Sequence, residues 1–181
     1  MKSPIRYKKL PFNITKYGYI SSIYFNNIFD NIINIIPRNN KKKIKLLDFG
    51  CGNSYLKKRS KNKRLKIIGY DIVKELSDVK NWKTVKFDYF VCCHVFVYLK
   101  KKKIENIIKY IKNNHPKAKV IVAITKNGWL NKVGAFILNE PNAHTNFNLT
   151  PEEEINILCK YMKIIKKKNI FCLTDIYLLE F

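Results

Sequence analysis

The stretch LLDFGCGNS, residues 46–54, sets an acid, Asp48, just ahead of two glycines, Gly50 and Gly52, with Cys51 between them. The apolar run before Asp48 reads as a strand, and YLKKRS after Ser54 as the start of a helix. Glycines at such a junction permit a tight turn and let a ligand approach the backbone. Free N–H groups at the helix start suit a carboxylate or a phosphate. Twenty-three residues after Asp48 a second apolar run, LKIIGY, leads to Asp71, an acid placed to accept hydrogen bonds from ribose hydroxyls. A dinucleotide loop, G-x-G-x-x-G, is not completed, because Tyr55 stands where its last glycine belongs. A pyrophosphate is repelled by a carboxylate such as Asp48, whereas a ligand with an ammonium group is attracted by it. A nicotinamide-dependent oxidoreductase therefore ranks behind a cationic nucleoside ligand.

Other chemistry-bearing residues are few. His94 closes the run FDYFVCCHV (87–95) and reads either as a general base or as a structural strand-end histidine. His144 lies in the polar loop EPNAHTNF, where function concentrates. His115, ahead of Pro116, reads as a turn residue, and Tyr17 and Tyr19 as part of a lid or as anchors of a first helix. None of the five cysteines forms a C-x-x-C pair, so neither a metal site nor a disulfide framework is expected.

These residues need a scaffold, and the rest of the chain describes one. The strand candidates are IKLLDF (44–49), LKIIGY (65–70), FDYFVCCHV (87–95) and AKVIVAI (118–124). Between the last two, KKKIENIIKYIKNN (101–114) sets Ile104, Ile107, Ile108 and Ile111 on one helical face, behind a solvated lysine start. Near-continuous apolar strands alternating with helices imply a parallel sheet covered on both sides. A first helix is expected from about Tyr19 to Ile36, ended by Pro37. TPEEEINILCKYM (150–162) carries a capping box, Thr150 with Glu153, and Pro151 in the first turn. The tail 169–181 reads as a last strand, antiparallel to KIIK (163–166) across a short KKN turn. The expected architecture is one α/β, Rossmann-like, doubly wound domain over 1–181. Residues 1–40 form a helical cap and 41–181 the core, mostly parallel with an antiparallel C-terminal strand.

Composition bounds the surroundings. No window has 18 uncharged apolar residues, so no membrane span is expected, and the start MKSPIRYKKL lacks the apolar core of a secretory signal, which points to the cytosol. The formal charge of +23 suggests nucleic acid, yet 32 of the 36 basic residues are Lys. Lys, Ile and Asn share A/T-rich codons, and specific phosphate and base recognition favours Arg.

The order LLDFGCGNS, IIGYD, FDYFVCCHVFVYL resembles the class I S-adenosylmethionine-dependent methyltransferases, in particular the small type 11 group. Asp48, Gly50 and Gly52 match the first family motif, with Ser54 at its final glycine, and Phe87-Asp88 through Leu99 match the fourth strand of the family. The resemblance runs over about 44–124 and touches HTNFNLTPEEE and the tail. It implies that Asp48 and the loop Gly50-Cys51-Gly52 hold the methionine end of S-adenosyl-L-methionine and Asp71 its ribose. It also implies that Asp78-Val79 lies at the adenine edge, with Trp82 a candidate to stack on the base. Only 15 residues separate Asp71 from Phe87, so the helix and third strand of the family are very short or missing here.

The function implied is transfer of a methyl group to a small-molecule or lipid-like acceptor. That acceptor would sit near the N-terminal segment, His94 and the 126–148 loop. The alternatives are an RNA methyltransferase, suggested by the charge, and a catalytically degenerate methyltransferase-like partner subunit. The chain has no N-P-P-Y or D-P-P-Y motif, no Pro-Cys nucleophile and no Lys-Asp-Lys-Glu set, which disfavours several nucleic-acid methyltransferase groups.

Overall fold

The computed structural model describes residues 18–37, 43–126 and 148–181. Six strands form one sheet: β1 (Ile44–Phe49), β2 (Leu65–Tyr70), β3 (Tyr89–Cys93), β4 (Lys119–Thr125), β5 (Lys163–Ile170) and β6 (Thr174–Glu180), in the order β2-β1-β3-β4-β6-β5. The first four run parallel. β6 is inserted antiparallel between β4 and β5. The helices are α1 (Gly18–Ile35), α2 (Tyr55–Arg59), α3 (Lys101–Asn114) and α4 (Pro151–Cys159).

Alternation along the strands divides the core into two layers. Leu47, Phe49, Phe90, Cys92, Val120 and Val122 meet the isoleucines of α3 and Ile157 and Leu158 of α4. Leu46, Tyr89, Val91, Ile121 and Ala123 face Ile28, Ile32, Ile35 and Ile36 of the α1 segment and Leu56 of α2. Both faces are covered, as the apolar strands require, and the doubly wound expectation holds. α4 starts on the expected reciprocal cap: the Glu153 N–H donates to Thr150 Oγ1 and the Thr150 N–H to Glu153 Oε2.

Between β2 and β3 there is no strand. Lys74–Leu76 and Trp82–Thr84 are single 3₁₀ turns, which leaves β2 at the sheet edge. Asp78 closes that edge: its N–H donates to the Gly69 carbonyl (2.9 Å), and its carboxylate accepts the Gly69 N–H (2.8 Å). Asp88 clamps Lys45 of β1 in the same way, through 2.8 Å bonds in both directions. One aspartate thus satisfies both backbone groups of a strand residue that would otherwise need a partner strand.

Two expectations are corrected. The KKN segment is not a turn: pairing continues through Lys167, Lys168 and Asn169 to Ile170 opposite Thr174. The turn falls on Phe171–Leu173, with Phe171 and Cys172 at φ of 51° and 58°. The lysines belong to an edge strand exposed on both faces, so their polarity reports solvent rather than chain reversal. Trp82 is not placed to stack on a bound base. It is buried among Phe49, Phe90 and Tyr110, in edge-on contacts that fill the core where a further helix is lacking.

Candidate active site

Strand order reverses between β1 and β3, and open α/β sheets bind ligands in the crevice at such a switch point. The loops leaving these two strands touch. Gly50 has φ of 80°, and a Cβ there would lie 2.3 Å from Val95 Cγ2, so only glycine lets the β1 loop pass the one after β3. The Gly50 and Cys51 N–H groups both donate to the Tyr70 carbonyl, at 2.7 and 3.1 Å, which ties the loop to the end of β2. Gly52, at φ of 49°, has nothing within 4 Å of where a Cβ would stand, so there is room beside the loop for a ligand. Ser54 precedes α2 and also takes a left-handed backbone, φ 57°, without a side-chain cap bond. A serine therefore holds a conformation that glycine would adopt without strain.

Two of the acids converge on the loop from different strands. Asp48 is buried at the end of β1, and its carboxyl is pushed up to about 7 by that burial first, then by the nearby Asp71 and Asp78 charges. Asp71 accepts the Gly52 N–H (2.9 Å) and the Val73 N–H (3.0 Å). Two of roughly four acceptor directions on its carboxylate are used, which leaves capacity for hydroxyls. Its own N–H donates to Ser77 Oγ, whose hydroxyl donates in turn to the Val79 carbonyl at 2.7 Å. Val79 packs partly buried against the core. The Asp78 carboxylate is engaged by the Gly69 N–H and by Lys57 Nζ at 3.0 and 3.1 Å. Burial opposes its charge, but these two donors hold it below the ordinary carboxylate range. Cys51 Sγ lies 3.4 Å from the Leu76 carbonyl, and burial pushes its thiol up to about 12, so it is a packing group and not a nucleophile.

On the other side of the crevice, His94 follows β3 with a left-handed backbone, φ 55°. Its N–H donates to the Ala123 carbonyl (3.0 Å), and Nδ1 is bonded to Thr125 Oγ1 (2.6 Å). The Phe25 ring meets the imidazole edge-on at 6.3 Å. His94 is therefore fixed from behind, beside the loop, while His115 lies away from it, stacked 4.1 Å from Phe87. His144, Tyr17 and the side chain of Tyr19 lie outside the described residues. The structure thus sets Asp48 at the end of β1, brings Asp71 onto the Gly50-Cys51-Gly52 loop and places His94 next to Val95, which that loop touches, while Asp78 holds the β2 edge and Val79 packs on the core. The sequence pattern does not point to Lys57, Ser77 or Thr125, because each acts through a partner from a distant segment. Among the described residues no group of three or more His, Cys, Asp or Glu is arranged to hold a metal ion. A cavity of about 590 Å³ lies at the opposite end of the sheet, between α1 and residues 59–64, where Arg59 is already paired with Asp30.

No family model and no curated protein matches the sequence. Solved structures do match its fold. The mitomycin 7-O-methyltransferase MmcR superposes with a TM-score of 0.61 at 11% identity, over 90% of this chain and 54% of its own, so the chain spans about half that protein's length. The methyltransferase domain of bacterial CtHen1 gives a TM-score of 0.63 at 15% identity, over 87% of this chain and 100% of that domain. The magnesium protoporphyrin IX methyltransferase ChlM from Synechocystis PCC 6803, with S-adenosylhomocysteine bound, gives 0.56 at 11% identity, over 90% of this chain and 87% of its own. The fold of this chain is that of the class I methyltransferases.

Proposed function

We propose that the chain is an S-adenosylmethionine-dependent methyltransferase acting on a small molecule. The observation that carries this reading is the convergence of Asp48, the left-handed Gly50–Gly52 loop and Asp71 at the sheet's switch point. The residues fit the cofactor in kind. Asp48 and the Gly50-Cys51-Gly52 loop would meet the methionine end, Asp71 the ribose, and the Asp78-Val79 stretch the adenine edge. ChlM has been crystallised with both S-adenosylmethionine and S-adenosylhomocysteine, which supports this choice of ligand. S-adenosylmethionine supplies a methyl group already activated by its sulfonium.

What remains for the protein is alignment and exclusion of water. His94, beside the loop and oriented by Thr125, is the residue proposed to take a proton from an acceptor that must lose one. His144 is proposed for the same side of the site on sequence alone.

Calorimetric titration with S-adenosylmethionine tests the reading. Saturable binding is expected, and Asp71→Ala should weaken it by about 1–3 kcal/mol, the range for a lost charge-assisted hydrogen bond. Absence of binding at millimolar ligand would contradict it and favour a degenerate partner subunit. An RNA acceptor draws support from the charge of +23. The described lysines, however, are dispersed over α2, α3 and β5, on both faces and the edge of the sheet, and do not follow one track.

A further inference from the structure

We infer that the methyl acceptor is a small planar aromatic molecule bound against an aromatic rim between α1 and the strand ends; this rests on the methyltransferase reading above. The face of α1 that meets the sheet is aliphatic, built from Ile28, Ile32 and Ile35. Tyr24, Phe25 and Phe29, on its flank, are only partly buried. They pack against the edge of the core and each touches a different partner. Phe25 meets His94 edge-on. Phe29 lies nearly parallel to Tyr55, at 14° and 6.4 Å, and Tyr55 directly follows the glycine loop. The Tyr24 hydroxyl is bonded to Thr174 Oγ1, at the start of β6, and its ring lies 6.4 Å from Phe171. The rim thus runs from the donor loop, past the candidate base, to the β5–β6 turn.

Phe171 is the least expected member. It is 56% exposed and sits at φ of 51°, next to Cys172 at 58°, in a turn whose geometry favours Asn or Gly. The left-handed pair closes the β5–β6 hairpin, but a phenyl ring left facing solvent beside Tyr24 is unfavourable where a polar residue would serve the turn. A wall of ring faces and edges matches a flat π-system better than an alkyl chain, which would be covered as well by aliphatic groups.

The test uses the full chain saturated with S-adenosylhomocysteine and titrated with 3-hydroxy-2-naphthoate, with 3-hydroxydecanoate and with oligouridylate. The naphthoate should bind about tenfold more tightly than the decanoate. Phe171→Ser, on the surface, and Phe25→Leu should each weaken naphthoate about three- to tenfold and leave S-adenosylhomocysteine binding unchanged. Equal affinity for the two acids, tighter binding of oligouridylate, or naphthoate binding unaffected by Phe171→Ser would overturn the inference while the cofactor still binds. Failure of S-adenosylhomocysteine itself to bind would instead overturn the methyltransferase reading, and this inference with it.

Discussion

Asp48 shows how a single buried carboxyl links stability to ligand binding. Its folded pKa, about 7, lies above the ordinary value of 3.8 because burial and two neighbouring acids disfavour its charge. The folded state therefore holds a proton that the unfolded chain releases, and the stabilisation is complete only below pH 4. It is lost as pH rises from there through 7. Glu154, buried in α4 and pushed up to about 8 by that burial, adds a loss in the same direction. Denaturant unfolding between pH 5 and 8 should show stability falling with pH, and Asp48→Asn should flatten much of that slope. At the neighbouring loop, Gly50→Ala should destabilise by about 2 kcal/mol or more, since it adds a side chain against Val95 at positive φ. Ser54→Gly, by contrast, removes strain from an already left-handed residue and should leave the melting temperature unchanged or higher. The acid and glycine types were readable from LLDFGCGNS alone. That Ser54 keeps the left-handed backbone was not, because propensity places serine at helix starts with its hydroxyl capping.

Among the elements, the legible ones were those with strong periodicity and their own end signals. The isoleucines of α3, the capping box of α4 and the stop at Pro37 marked their helices closely. The shortened span between Asp71 and Phe87 was equally plain as a length. What replaced the missing elements could not be read, because it depends on contacts between distant segments: Asp78 folding back on Gly69, Lys57 reaching Asp78, and Trp82 turning into the core. The β5–β6 turn was misplaced for a related reason, since lysines on an exposed edge strand look like a loop. Trp82→Ala should therefore destabilise the fold by about 3–5 kcal/mol, as for other buried large-to-small changes, with thermal unfolding as the measure. Asp78→Ala should cost about 1–3 kcal/mol by leaving the Gly69 N–H without its acceptor, and Asp78→Asn, which keeps an oxygen there, should recover part of it.

At the scale of the whole molecule, a mostly parallel sheet with two covered faces followed from the alternation of apolar runs and helices, and its antiparallel C-terminal strand from the short link between the last two runs, whereas the strand order was not read from the sequence. The charge is large in sum, and the described lysines are scattered over both faces and the edge of the sheet. Any RNA binding should fall steeply with salt and bring no methyl incorporation into RNA, and incorporation would favour the alternative acceptor. The crevice between the β1 and β3 loops is the feature on which the functional reading stands. Titration with S-adenosylmethionine at pH 6 and pH 7.5 examines it most directly. A cationic ligand beside Asp48 favours the ionised carboxyl, so affinity should rise between these pH values with release of a proton, and Asp48→Asn should abolish the rise. No saturable binding at millimolar ligand at either pH would contradict it.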